Sequence, residues 1–148
     1  MNYFRLLFSN NSLLRILQNE EFQKLSLKGN CLEFGANYKI DRNFLDLNSK
    51  KYKTIYSNID KKNHKFLVLD LEKKIRNKKK YDNIVIYNVL EHLSDLNIPL
   101  KNIYNLLKKK GKVFGSTPFI YRIHGAPKDY NRFTKDYLKI VLKKNRFK

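Results

Sequence analysis

The chain has 148 residues and sets 32 Lys and Arg against 13 Asp and Glu, a net charge of +19. That length suits one domain rather than two, and a hydrophobic fraction of 42% excludes global disorder despite the charge. A single cysteine excludes a disulfide scaffold and a multi-cysteine zinc site, and no apolar run approaches the roughly 20 residues of a membrane span.

Residues 1–17 mix Arg5 and Arg15 with Leu, Phe and Ile, but Ser9-Asn10-Asn11-Ser12 interrupts the run and no small-residue cleavage site follows. A surface or packing helix is expected here, not a signal peptide. A cytoplasmic compartment follows, with Cys31 a free thiol. Asn11 or Ser12 caps a helix over 13–25, whose apolar stripe is Leu13, Leu14, Ile16, Leu17, Phe22 and Leu25. Lys28-Gly29-Asn30 stops it. Residues 1–28 thus read as an N-terminal helical segment, and 29–148 as the α/β core of the same domain.

Cys31 to Phe34 is a short apolar strand ended by Gly35, and a short helix is expected around Asn43–Leu47. Lys53 to Ile59 is a second strand closed by Asp60. Phe66 to Leu69 is a third, closed by Asp70. Tyr81 to Tyr87 is a fourth, rich in β-branched residues and followed by Asn88. A helical stretch begins near Val89. Ile98 to Leu107 is the clearest helix, with Lys108 to Lys110 complementing its C-terminal dipole and Gly111 ending it. Lys112 to Ser116 is a fifth strand, broken by Thr117-Pro118. After a loop carrying Gly125 and Pro127, Thr134 caps a final helix with Tyr137, Leu138, Ile140, Val141 and Leu142.

Short apolar strands alternating with helices argue for a doubly wound, mostly parallel sheet in a Rossmann-like α/β fold. Polar residues fall just after the strands: Gly35, Asp60, Asp70, Asn88 and Thr117. Ligands bind such sheets at the carboxyl ends of the strands, where strand order reverses. Charge adds little. Most of the 32 basic residues are lysine, spread in short runs such as Lys50-Lys51 and Lys143-Lys144 along the whole chain. A phosphate-binding surface concentrates on one face and favours Arg. A solvated surface is therefore preferred to a nucleic-acid site.

Four segments then carry a resemblance: Cys31-Leu32-Glu33-Phe34-Gly35-Ala36-Asn37; Asp60; Asp70-Leu71; and Tyr81 to Leu93, which contains Asn88-Val89-Leu90-Glu91-His92. Leu106-Leu107-Lys108-Lys109-Lys110-Gly111 follows at a matching interval. Together they resemble the class I S-adenosylmethionine-dependent methyltransferases. The tail, with Ser116 to Phe119, His124, Pro127, Asp129-Tyr130 and Arg132-Phe133-Thr134, is similar to a subgroup associated with surface-glycan gene clusters.

The resemblance implies S-adenosylmethionine as cofactor. It implies Glu33 facing the methionine ammonium, Gly35 and Asn37 in the first turn, Asp60 on the ribose hydroxyls, Asp70 on the adenine amine, Leu71 against the ring, and Asn88 beside the transferred methyl group. The family's first motif usually reads G-x-G; here Asn37 replaces the second glycine, and Asn tolerates positive φ better than most residues. The family sheet also ends in an antiparallel pair that this sequence does not reach. Strand five is then expected at an edge open to self-association.

His124 is the candidate general base for a substrate hydroxyl, or else holds its loop through Asp129. Asp129, Tyr130 and Arg132 fix that loop or contact an acidic sugar. Phe119 and Tyr121 are pocket walls or packing. Glu91-His92 resembles a fragment of a zinc motif, but no second histidine lies at helical spacing, so no metal site is expected. The expected activity is methyl transfer to a small molecule or glycan intermediate, at oxygen. The alternatives are an RNA methyltransferase and an inactive truncated remnant of the fold acting as an interaction module.

Overall fold

A computed structural model describes residues 11–61, 64–125 and 128–148. The stretch 1–10 and Pro127, both read above, lie outside the described residues. The helix α1 spans Leu13–Gln23. Then come β1 (Gly29–Phe34), β2 (Tyr52–Asn58), β3 (Leu67–Val68), β4 (Tyr81–Tyr87), α2 (Asn97–Leu106), β5 (Leu107–Ser116) and α3 (Lys135–Lys144). The five strands form one sheet in the order β3-β2-β1-β4-β5, and every pairing among the described residues is parallel. This is the doubly wound, Rossmann-like arrangement. The chain winds outward one way from β1 through β2 to β3, then returns to β4 on the other side of β1.

Strand alternation sorts the core into two layers. Leu32 and Phe34 of β1, with Ile84 and Ile86 of β4, face Leu100, Ile103 and Leu106 of α2 and Val141 of α3. Cys31 and Val85 point the other way, toward Phe22 of α1, Leu27, Leu45 and Tyr56. A strand buried on both faces carries an apolar run, here Ile84-Val85-Ile86, and that β-branched run made β4 legible.

Helix caps follow local chemistry. Ser12 Oγ accepts from the Arg15 amide at 3.2 Å, and Thr134 Oγ1 accepts from the Tyr137 amide at 3.2 Å. Each satisfies one of the orphan donors of a helix N-terminus. No helix among the described residues is long and apolar enough to cross a membrane.

Four local expectations need correction. The segment 43–47 is not helical; a single 3-10 turn, Ile40–Arg42, precedes it, and Asn43, extended at ψ 164°, turns its side chain back to the Asn37 carbonyl rather than opening a helix. The stretch after Asn88 is only a 3-10 turn, Leu90–His92. Lys108 to Lys110 do not close α2, because β5 begins at Leu107. Tyr81 pairs with Leu107, but Asn83 pairs with Lys112, so residues 108–111 bulge out of the ladder, with Lys110 at φ +67°. Lys108 there pairs with Asp82 at 2.8 Å. Finally, Leu13 and Leu17 of the apolar stripe are exposed, whereas Gln18 and Phe22 are buried. The inward face of α1 runs through Arg15, Gln18 and Phe22.

Candidate functional site

β1 and β4 are neighbours whose following connections leave in opposite directions, so the turns after them flank the switch point of the sheet. Gly35 makes the first turn at φ +68°. A Cβ there would stand 2.6 Å from Val89 Cγ2, in the turn after β4. Glycine is required twice over, for the left-handed backbone and for the close approach of the two turns.

Asn37 is not in the left-handed region; among the described residues, the non-glycine positions there are Asn88, Lys110 and Arg146. Asn37 instead accepts from the Lys39 amide at 2.9 Å, and its carbonyl accepts from Asn43 Nδ2 at 3.0 Å. The side chain braces the loop after β1 and needs no unusual φ.

Glu33 is 4% exposed and its carboxylate gathers the amides of Phe44 at 3.0 Å and Leu45 at 2.7 Å. The two bonds tie the segment 43–47, which the chain enters through Asn43 with an extended backbone at ψ 164°, to the end of β1. Burial pushes the Glu33 carboxyl up to about 7, against the opposing pull of the two amides and of Arg15. Arg15 reaches in from α1, over the Phe44 ring at 3.7 Å, and donates to the Arg42 carbonyl. Phe44 in turn stacks on Tyr87 at 4.0 Å. Burial lowers the Arg15 guanidinium, and Glu33 opposes that shift.

Asp60 stands two residues beyond the end of β2, not at it. The terminal residue is Asn58. Its Nδ2 donates to the Ala36 carbonyl at 2.8 Å and its Oδ1 accepts from the Ile59 amide at 2.6 Å. Asn58 thus ties the turn after β1 to the turn after β2. Asp70 likewise lies two residues past β3; it pairs with Lys73 at 3.0 Å and caps the Glu72 amide at 3.0 Å. Leu71 is 5% exposed and belongs to the core layer under α2.

Asn88 ends β4 at φ +54°. It caps no helix. Its side-chain amide pairs with Gln18 on α1, and Gln18 also donates to Ser116 Oγ at the end of β5, at 2.7 Å. The helix α1 therefore covers the carboxyl ends of β4 and β5 through polar side chains. Arg15, Gln18 and Asn58 escaped the sequence reading. The signal for the first two was their spacing with Phe22 on one helix face; for Asn58 it was a polar residue closing an apolar strand.

The loop after β5 brings distant residues together. His124 donates its amide to Asp129 Oδ2 at 3.0 Å, and its Nδ1 faces Asp129 Oδ2 at 3.2 Å and the Arg122 carbonyl at 3.3 Å. Both neighbours are acceptors, so Nδ1 carries the proton and Nε2 the lone pair. Arg132 donates to Asp129 Oδ2 at 2.7 Å, and its guanidinium holds the carboxyl well below the usual carboxylate range. Arg132 and Asp129 thus fix the loop. Phe119, Tyr121 and Tyr130 are exposed on it, and Tyr121 sets its ring edge-on to His124 at 5.3 Å. The amides of Tyr130 and Asn131 both bond the Glu91 carbonyl, at 2.8 and 3.2 Å.

The His124 ring lies 5.0 Å from the ring of His92. His92 Nδ1 meets the Lys128 carbonyl at 2.5 Å, which again places the proton on Nδ1. Glu91 is fully buried. Its Oε2 accepts from Thr117 Oγ1 at 3.3 Å. Burial raises its carboxyl, opposed by His92 and His124.

This combination, a parallel sheet with a glycine turn at its switch point and an oriented imidazole on the loop after β5, agrees with comparison to known families. A family model described as a methyltransferase domain matches residues 6–140. No curated protein matches the chain at significant similarity.

Proposed function

We propose, from the premise that this chain belongs to the methyltransferase-domain family, that it moves the methyl group of S-adenosylmethionine onto a hydroxyl oxygen of a small molecule or glycan intermediate in the cytoplasm. The observation that carries the choice of oxygen is His124, whose Nδ1 is fixed by Asp129 at 3.2 Å, leaving Nε2 to receive a proton.

The residues at the switch point fit the cofactor. Gly35 holds the left-handed turn that brings backbone, not side chain, to the crevice. Asp60 and Asp70 follow β2 and β3, where carboxylates suit two ribose hydroxyls and an adenine amine. Asn37 and Asn88 border the methionine end. Glu33 acts through the loop it holds at Phe44 and Leu45, and Arg15 supplies a cation for the amino-acid carboxylate. When bound, S-adenosylmethionine supplies a methyl group activated by its sulfonium charge.

The protein's work on the acceptor is alignment and deprotonation. Alignment to near-attack distance converts an encounter into an internal reaction. His124 Nε2 takes the hydroxyl proton as the oxygen becomes nucleophilic, and Asp129 stabilises the imidazolium through Nδ1.

Calorimetric titration with S-adenosylmethionine and S-adenosylhomocysteine tests the reading, beside Asp60→Ala. Micromolar binding that the substitution abolishes is expected. A folded chain that binds neither compound would overturn it in favour of an inactive member of the fold.

A further inference from the structure

We propose that Glu91, His92 and His124 bind one divalent first-row transition metal ion, which in turn binds and acidifies the acceptor hydroxyl. One ligand atom from each of the three residues lies within 4.8 Å of the other two. His92 Nε2 and Glu91 Oε1 stand 3.9 Å apart. Ligands on a common ion roughly 2.1 Å away are about 3 to 3.5 Å apart. Closing on an ion therefore draws the three atoms together by about 1 Å, within reach of side-chain rotation.

The second observation is an orphan. Among the described residues, Glu91 Oε1 has no hydrogen-bond partner, and the side chain is 0% exposed. An unpartnered carboxylate oxygen in such a place is strongly unfavourable. Native folds satisfy nearly all such groups. This oxygen stands 3.9 Å from His92 Nε2, and one ring nitrogen of His124 lies within 4.8 Å of the ligand atoms of both residues. A cation between the three satisfies the orphan oxygen and both nitrogens.

The histidines are also prepared as ligands. A ligating imidazole normally donates its other nitrogen's hydrogen to a carbonyl or carboxylate, which fixes tautomer and ring orientation. His92 does so to the Lys128 carbonyl, and His124 to Asp129. Arg132 steadies Asp129 in turn. Two imidazoles and one carboxylate suit Zn2+, Co2+ or Mn2+ rather than Mg2+, which prefers oxygen ligands. Three protein ligands leave positions open for an exogenous oxygen.

The use of the ion rests on the methyl-transfer reading; its binding does not. A hydroxyl on the ion has its pKa lowered toward neutrality, so its O–H bond breaks and the proton leaves to water. With the ion bound, this route replaces the direct proton transfer to His124, because a lone pair on the ion accepts no proton; direct transfer belongs to the metal-free site.

The test is titration of the metal-stripped chain with Co2+, followed by visible absorption, and with Zn2+ by calorimetry. His92→Ala and His124→Ala are compared with His64→Ala, the chain's remaining histidine. Stoichiometric binding is expected, unchanged by His64→Ala and weakened at least ~10-fold by each of the other two, with excess Mg2+ not competing. Circular dichroism confirms that each variant is folded. Absence of binding by the folded parent, or binding indifferent to His92→Ala and His124→Ala, would overturn the proposal. The same samples titrated with S-adenosylhomocysteine keep the two readings apart. Metal binding without cofactor binding would sink only the proposed function, and the converse only the metal site.

Discussion

Gln18 and Asn88 pair their side-chain amides head to head across the sheet edge. Gln18 Nε2 donates to Asn88 Oδ1 at 2.8 Å, and Asn88 Nδ2 returns to Gln18 Oε1 at 3.2 Å. The same Gln18 nitrogen reaches Ser116, so one residue of α1 closes the carboxyl ends of β4 and β5. Gln18→Ala strips partners from two partly buried groups. The expected loss is about 1–3 kcal/mol, read as a lower urea midpoint with an unchanged slope. Gln18→Glu is expected to recover part of it, because a carboxylate still accepts from Asn88 and, as an acceptor, from the Ser116 hydroxyl. No change in midpoint for Gln18→Ala would mean that α1 is held by Phe22 alone.

Glu33 makes stability depend on pH. Its folded carboxyl is pushed up to about 7 from 4.5 in the unfolded chain. A raised acid means that the folded state binds the proton more tightly than the unfolded one. The contribution is fully present below the unfolded value and is lost as pH rises through the folded one. The parent is therefore expected to lose about 3 kcal/mol from this group between mildly acidic and mildly alkaline pH. Glu33→Gln keeps a carbonyl acceptor for the Leu45 amide and removes the titration. The difference in unfolding free energy between the two proteins should shift in favour of the Gln variant as pH rises. Parallel curves would rule out a raised carboxyl at this position.

Gly35, in the turn after β1, and Gly115, within β5, differ in kind. At Gly35 an added methyl meets a side-chain tip, Val89 Cγ2 at 2.6 Å, on a backbone at φ +68°. At Gly115 it meets backbone, the Ile86 carbonyl oxygen at 1.9 Å, so β4 and β5 must part. Gly35→Ala is expected to cost about 1–3 kcal/mol and Gly115→Ala more, both measured by denaturant unfolding. Adding Val89→Ala to Gly35→Ala should recover only part of the loss, because the φ strain remains. Complete recovery would mean that the clash is the whole effect.

How far the sequence alone reaches depends on what each residue answers to. Tyr81–Tyr87 was legible because its buried centre is the β-branched run Ile84-Val85-Ile86, and Thr134 because capping is local chemistry. Lys108 to Lys110 misled because charge suits a helix end as well as a bulged strand, and only the pairing of Leu107 with Tyr81 decides between them. The site was harder. Glu33 and Gly35 were found by pattern, but not that Glu33 is occupied by amides 11 and 12 residues on. Leu13 and Leu17 outweighed Gln18 in a hydrophobic tally, although Gln18 is the buried one and bonds two partly buried partners. The zinc-motif reading sought a second histidine at helical spacing from His92, whereas the ring of His124, on the loop after β5, comes within 5.0 Å of the His92 ring, and spacing along the chain carries no record of that approach.

The last prediction concerns Asp129, which positions His124 without itself reaching the three converging ligand atoms. Its carboxylate accepts from the His124 amide, stands 3.2 Å from His124 Nδ1 and is gripped by Arg132. The guanidinium, then the amide, hold this acid below its ordinary value. A depressed acid contributes stability above its unfolded pKa and loses it only as pH falls through the folded one. The latch therefore stays closed across the mildly acidic range. Asp129→Asn retains the shape and one acceptor oxygen but weakens the hold on Nδ1–H. Co2+ affinity should fall ~10–100-fold, while S-adenosylhomocysteine binding, proposed at residues other than Asp129, should stay unchanged. Arg132→Ala opens the latch from its far end, so the Tyr130 amide, bonded to the Glu91 carbonyl at 2.8 Å, should lose hydrogen-exchange protection. If Asp129→Asn leaves Co2+ affinity intact while Arg132→Ala exposes the Tyr130 amide, the carboxylate serves the loop alone and not the imidazole.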